Sequence, residues 1–119
     1  MALFVTASDA RTGDRGEKLL VQGDTARLRV WEGEPPGETA PEHANPYEYL
    51  AYVVAGALRV RIGDEGPVEV RQGDSYRVPA GTPYAFEVLE RATVVEAVST
   101  ATGAGLAEGG SLAGERLPG

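Results

Sequence analysis

The side chains best suited to chemistry are concentrated at residues 41–56, PEHANPYEYLAYVVAG. His43 is the only histidine of the chain, and Asn45, Tyr47, Glu48 and Tyr49 follow it within six positions. An imidazole can act as a general base or a metal ligand near neutral pH, while amide and phenol groups hydrogen-bond organic molecules. A metal centre, acid–base catalysis and the binding of a small molecule are therefore the three chemistries to separate.

The composition excludes several function classes. The 119 residues suffice for one domain, and the lack of cysteine excludes disulfides, thiolate metal sites and cysteine nucleophiles. A formal net charge of −7 argues against binding nucleic acid or an anionic membrane, because both require a basic surface. The sequence has neither an apolar run long enough to span a bilayer nor a signal-peptide start, so a cytoplasmic protein is expected.

The elements that must position these side chains are predicted to be strands. Short runs of Val, Leu, Ile and Tyr alternate with Gly, Pro and Asp, which is typical of an all-β sandwich or barrel. The four prolines of residues 32–46 predict a long loop, and Gly56 is expected to turn one strand into the next. Residues 1–100 are predicted to form the single domain, followed by a Gly/Ala-rich tail at 101–119. The predicted strands cover 18–22, 27–32, 47–55, 57–63, 68–74, 75–83, 84–90 and 92–100.

Two spaced motifs resemble those of small single-domain cupins, including the RmlC-like group. The family pattern G-x5-H-x-H-x3/4-E/Q-x6-G is matched in spacing by Gly37, His43, Asn45, Tyr49 and Gly56. The pattern G-x5-P-x-G-x2-H-x3-N is matched by Gly73, Pro79, Gly81, Tyr84 and Val88. The resemblance covers about residues 25–100 and implies an antiparallel jelly-roll barrel, or double-stranded β-helix, with a cavity between its sheets.

The positions that bind metal in the family carry different residues here. Metal-binding cupins use three histidines and one Glu or Gln, whereas this chain offers His43, Asn45, Tyr49 and Tyr84. One imidazole cannot hold a first-row metal tightly, and a phenol of pKa ~10 is a poor ligand while protonated. Glu48 cannot substitute if Tyr49 faces the cavity, because neighbouring strand residues point to opposite faces. No metal cofactor is therefore expected, with a divalent metal as the alternative.

The predicted ligand pocket consists of five side chains from two strands. His43, Asn45 and Tyr49 are separated by even numbers of residues, so one extended strand would place all three on the same face. Tyr84 and Phe86 would share a face of a second strand, with Phe86 as the apolar wall. His43 is the only candidate base. Two further expectations concern the surroundings: Tyr47 shares the outward face of Glu48, while Arg77 faces either the cavity or the surface.

The expected function is the binding of a small organic molecule in a cupin cavity without a transition metal. Two alternatives stay open: a metal-dependent cupin enzyme of dioxygenase or isomerase type with unusual ligands, and a non-catalytic structural or interaction protein. The resemblance also implies a homodimer, because small cupins commonly pair through their sheets. Residues 94–99 and 3–6 are the candidates for edge or intersubunit strands.

Overall fold

The computed structural model describes residues 3–99, and these residues form eight β-strands and no helix. The prediction of an all-β antiparallel fold is confirmed, and no helix in this range could cross a membrane. The predicted tail at 101–119 lies outside the described residues. The strands are β1 (Arg11–Thr12), β2 (Lys18–Gln22), β3 (Ala26–Glu34), β4 (Thr39–His43), β5 (Tyr49–Ile62), β6 (Glu65–Arg71), β7 (Ser75–Val78) and β8 (Tyr84–Ser99).

Two long strands, β5 and β8, pair with each other and organise all the others. One half of this pair continues through β3, β2 and β1 on one side and through β7 on the other. We call this part the large layer. The other half of the pair is flanked by β4 and β6, and we call it the small layer. Side chains of both layers face a common interior, as in a jelly roll.

Gly56 lies at the bend between the two layers. The prediction that it ends one strand and begins another is wrong, since β5 runs without interruption from Tyr49 to Ile62. The backbone of Gly56 has a φ of 86°, and a Cβ there would lie 2.0 Å from the carbonyl oxygen of Arg91 on β8. Glycine is required because β5 and β8 cross closely where both strands bend. The bend closes the sheet over its interior.

The proline-rich segment 32–46 contains a strand that the sequence did not predict. β4 covers Thr39–His43 and, within residues 3–99, pairs only with β8. Pro41 is tolerated there because an edge strand has one side without ladder hydrogen bonds. The interpretation of the whole segment as a loop is therefore wrong for these five residues. The prediction that this segment does not form a central strand is correct.

Residues 94–99 form no sheet edge. This part of β8 pairs with β3 on one side and with β5 on the other, so it lies in the middle of the large layer. The expectation of an edge strand there is wrong, because the segment has a hydrogen-bonded neighbour strand on each side. Residues 3–6 form no strand within the described chain, and the side chains of Leu3 and Phe4 are exposed.

Candidate ligand-binding cavity

A cavity of about 190 Å³ lies between the two layers. Its two walls differ in chemistry. The small layer contributes a wall that is apolar at Leu58, Phe86 and Val88 and carries His43 and Tyr84 at one end. The large layer contributes a polar and aromatic wall, and the side chains of this wall are Arg29, Trp31, Tyr49, Tyr76 and Glu96.

Four of the five predicted pocket residues line this cavity: His43, Tyr49, Tyr84 and Phe86. The ring centroids of His43 and Tyr84 lie 4.5 Å apart, and those of Tyr49 and Tyr84 lie 5.6 Å apart, edge to face. Pairs at such distances contribute about 0.5–1.5 kcal/mol each beyond the burial of their surface. The aromatic groups therefore form one packed cluster, and the binding of a ligand to it stays a prediction.

Asn45 lies behind this aromatic cluster and outside the cavity. It is absent from the cavity wall, and its Nδ2 donates a hydrogen bond to the hydroxyl of Tyr84 at 3.3 Å. The idea that His43, Asn45 and Tyr49 share one strand is wrong: His43 ends β4, Asn45 follows in the connection, and Tyr49 begins β5. The side chains converge because the connection between β4 and β5 is short, and not because of strand alternation.

The predicted outward direction is wrong for Tyr47 and correct for Glu48. Tyr47 is only 7% exposed and packs in the core, so its expected outward position is wrong. It lies two residues before Tyr49 and is buried on the same side, as period-two spacing requires. Glu48 does point outward and accepts a hydrogen bond from Nε of Arg77 at 2.6 Å. That ion pair also shows that Arg77 faces the surface rather than the cavity.

The two ring nitrogens of His43 have different surroundings. Nδ1 lies 3.1 Å from the carbonyl oxygen of Pro41, and since a carbonyl can only accept, Nδ1 carries the proton of this bond. Nε2 is buried and has no hydrogen-bond partner among residues 3–99. The ring is held by the bond to Pro41 and by packing against Tyr84.

The cavity tyrosines are neutral phenols at neutral pH. Burial raises the pKa of Tyr49, and the nearby Tyr76, Glu96 and Tyr84 raise it further. Burial also raises the pKa of Tyr76 and of Tyr84. A neutral phenol can donate one hydrogen bond and accept others, so this wall can satisfy polar groups of an uncharged molecule.

Arg29 and Glu96 form a buried ion pair within the polar wall. The Nε of Arg29 lies 2.5 Å from Oε1 of Glu96, and each side chain is only 7% exposed. Burial alone would lower the pKa of Arg29, but the Glu96 carboxylate raises it. The guanidinium carbon also lies 5.6–5.9 Å from the ring centroids of Trp31, Tyr47 and Tyr49. The pair supplies charge-assisted hydrogen bonding beside the cavity with no net charge.

The donor set does not fit a transition metal. The family positions supply one imidazole, whose outer nitrogen is buried, together with one amide and two protonated phenols. Residues 3–99 contain no group of three His, Cys, Asp or Glu side chains close enough to hold a metal ion. Zinc, iron and manganese sites need several imidazole, carboxylate or thiolate ligands.

Glu34 and Glu38 lie where the cavity lining meets the connection between β3 and β4. Burial raises the pKa of Glu34 to about 7, and a hydrogen bond to Glu38 together with its charge adds to the effect. The segment between them is fixed to β8, because Gly37 N donates to Val88 O and Val88 N donates to Glu38 O, both at 2.8 Å. The raised pKa makes the charge of Glu34 in the lining sensitive to pH near neutrality.

The sequence prediction missed the polar wall of the large layer. In β3 the residues that line the cavity are Arg29 and Trp31, on the face opposite to the apolar Leu28 and Val30. Glu96 was hidden in the same way within the apolar run of β8. The signal was the alternation itself, since Arg29 and Glu96 lie inside strands that must be covered on one face. Hydrophobicity alone selects the wrong face.

The sequence model of the cupin domain family matches residues 30–99. No curated protein matches the chain. Among solved structures, KdgF from Halomonas sp. is 19% identical with a TM-score of 0.67, and the alignment covers 83% of this chain and 94% of that one. An RmlC-like cupin from Shewanella frigidimarina is 18% identical with a TM-score of 0.70, with coverages of 83% and 91%. At these identities the structural likeness establishes the fold alone.

Proposed function

This chain belongs to the cupin domain family, and we propose that it binds a small, polar organic molecule in its cavity without a transition metal. The observation that carries the proposal is the division of the cavity into one apolar wall and one wall of buried hydrogen-bonding groups. Binding sites for small molecules are mostly apolar with a few convergent polar groups, and this cavity has that arrangement. Its volume of about 190 Å³ is below the roughly 300 Å³ of drug-sized sites. The ligand is accordingly small.

The polar wall supports ligand binding because it is costly for folding alone. Arg29 and Glu96 lose their hydration on burial, and a buried ion pair is often no more stabilising than apolar residues of the same volume. Tyr49, Tyr76 and Tyr84 add three phenols to the same interior. An organic ligand with its polar groups toward the large layer and its apolar part toward Phe86 would satisfy both walls.

The proposal does not include a reaction or a metal. His43 is the candidate base that the sequence indicates, and its Nε2 is buried. The donor set at the family positions favours hydrogen bonding over coordination. Elemental analysis of protein expressed in metal-supplemented medium tests the second point: about one iron, manganese, nickel or zinc per chain would contradict it, and a trace amount is expected.

Native mass spectrometry of the freshly purified protein tests binding. We expect an additional mass on the folded chain that disappears on denaturation. The Tyr84→Phe variant removes one hydroxyl at the cavity and should weaken retention of the ligand by about 1–3 kcal/mol. Glu48→Gln is the matched control, because Glu48 faces outward and should leave retention unchanged. Equal retention in both variants would contradict the assignment of the site.

We also propose that two copies associate through the outer face of the large layer. Leu50 and Tyr52 on this face are 50% and 51% exposed, and Leu28 and Val54 also lie open to solvent. The register places Val95 and Ala97 between them, so the apolar surface is continuous. Large exposed apolar patches mark interaction sites.

A second copy of this chain is the occupant favoured by the charges. The rim of this face carries two balanced ion pairs, Lys18–Glu32 and Arg77–Glu48. The chain as a whole has a net charge of −7, so most of its surface would repel another copy. A neutral apolar face is where such repulsion is smallest. Light scattering at micromolar concentration is expected to give the mass of a dimer, and a monomer mass would contradict the proposal.

A further inference from the structure

A second cavity, outside the central one, is lined by four of the eleven basic side chains of the chain. They are Arg11, Arg15, Arg27 and Arg29. This cavity has a volume of about 590 Å³ and lies among β1, the turn before β2, β3 and the connection that contains Asn45. We call it the arginine pocket. Arg15 and Arg29 contribute to both cavities, so the two cavities adjoin.

The charge of the arginine pocket is opposite to that of the chain. Four guanidinium groups face two carboxylates, those of Asp14 and Glu17. Arg29 is already neutralised by Glu96 on its other side. The remaining lining has an excess of positive charge, in a chain whose net charge is −7. A local excess of one sign in a concave site raises the local concentration of the opposite ion.

Arg11 and Arg15 differ from most other arginines of the fold. Arg59, Arg61, Arg71 and Arg77 each contact a carboxylate at the surface. Within residues 3–99, neither Arg11 nor Arg15 forms an ion pair. The nearby Glu17 instead accepts a hydrogen bond from the backbone N of Arg15 at 3.0 Å. Two exposed guanidinium groups therefore have donors available at the pocket.

The deeper part of the pocket is also electropositive. Burial lowers the pKa of Arg27, the charge of Arg29 lowers it further, and Tyr47 and Glu17 partly offset both effects. The half-buried Arg27 and the buried Arg29 thus repel each other at the pocket wall. An anion bound in front of them would relieve this repulsion, in addition to accepting hydrogen bonds from Arg11 and Arg15.

We infer that the arginine pocket binds the carboxylate or phosphate group of a small organic molecule. Guanidinium groups match both oxyanions with planar, bidentate geometry. Leu19, Pro46 and Tyr47 line the same pocket and provide apolar surface for the rest of the molecule. An organic anion therefore fits the site better than an inorganic ion alone. This site adjoins the central cavity through Arg15 and Arg29, but its other lining residues are its own, and it does not require the central cavity to be occupied.

The test is a titration followed by amide chemical shifts at constant ionic strength, with benzoate, phenyl phosphate, inorganic phosphate and neutral benzyl alcohol as probes. Saturable shifts confined to residues 11–19 and 45–47 are expected for benzoate or phenyl phosphate, and the tighter of the two identifies the oxyanion. Inorganic phosphate is expected to bind more weakly. Shifts at residues 84–88 would report the central cavity, so the two sites are distinguished in one experiment.

Variants at the exposed arginines complete the test, because they leave the core intact. The double variant Arg11→Gln/Arg15→Gln should weaken binding of the tighter anion about ten-fold or more, since hydrogen bonds to charged groups are lost. Arg59→Gln is the matched control, because Arg59 lies on the small layer and pairs with Glu87. The inference is overturned if no anion gives saturable shifts, if the double variant binds as tightly as the original chain, or if benzyl alcohol binds as tightly as benzoate.

Discussion

The two faces of the large layer depart from the usual arrangement of a sheet, because polar side chains are buried on one face and large apolar side chains are exposed on the other. Beside apolar core residues such as Val53 and Val98, its inner face carries Arg29, Glu96 and two tyrosines around the cavity, whereas its outer face carries Leu28, Leu50, Tyr52, Val54 and Val95. The small layer is arranged in the ordinary way. Its inner face is apolar, and its outer face holds ion pairs such as Arg59–Glu87 and Arg61–Glu42.

This difference indicates which surfaces are adapted to water and which to a partner. A face of paired charges is compatible with solvent, while an exposed apolar face on the same molecule is a surface to be covered. Conversely, polar groups in an interior are retained when they recognise something there. We therefore propose that the large layer is the functional half of the barrel, with a ligand on its inner face and a second copy on its outer face.

The largest expected effect comes from breaking the buried ion pair of the inner face. Glu96→Ala leaves the guanidinium of Arg29 buried without its carboxylate partner, which should lower the free energy of unfolding by about 3–5 kcal/mol. Urea unfolding followed by fluorescence of Trp31 measures this change. A loss below 1 kcal/mol would mean that the pair is solvated. The inner face would then not contain a desolvated ion pair.

The double variant Arg29→Met/Glu96→Leu sharpens the comparison. Replacing a whole buried pair by apolar residues is often neutral or stabilising, so this variant should unfold at the same urea concentration as the original chain or at a higher one. If the pair serves binding, the variant should nevertheless lose the ligand mass in native mass spectrometry. Retention of the ligand together with unchanged stability would assign no function to the pair.

The next effect concerns the outer face. Leu50→Asp places a carboxylate in the centre of the proposed dimer contact, where it would be buried without a partner, and should raise the dimer dissociation constant at least about 100-fold. Sedimentation velocity over a concentration series gives this constant. Val68→Asp is the matched control, since Val68 is a similarly exposed apolar residue at 55% but belongs to the small layer. Equal effects of both variants would remove the distinction between the layers.

The smallest effect is a pH dependence at the cavity lining. The pKa of Glu34 is raised from 4.5 to about 7, so the folded chain holds this proton more tightly than the unfolded chain. The resulting stabilisation is fully present below pH 4.5 and is lost as the pH rises through about 7. Thermal unfolding between pH 5 and 8 should show this decline, and Glu34→Gln should flatten it. An unchanged slope in the variant would assign the decline to other groups.

The sequence predicted the fold through its turns and the site through its motif spacing. Glycine and proline positions determine where strands can begin, bend and end, and these signals are local. These signals located β2, β6 and β7. The motif spacing correctly predicted that His43, Tyr49, Tyr84 and Phe86 lie at one cavity. The polar wall was missed because alternation does not show which face of a strand is buried, and the burial of Arg29 and Glu96 depends on their pairing across two strands that are distant in sequence. β4 was missed because its only pairing is with β8, again a non-local contact.

High-resolution electron density of the cavity, in crystals of the protein as purified, tests the central claim most directly. The account predicts density for a small organic molecule between Phe86 and the tyrosines of the large layer, within hydrogen-bond distance of the Tyr84 hydroxyl. It also predicts no metal bound to His43. A cavity filled by the protein's own side chains, or a metal ion coordinated by His43, would contradict the account.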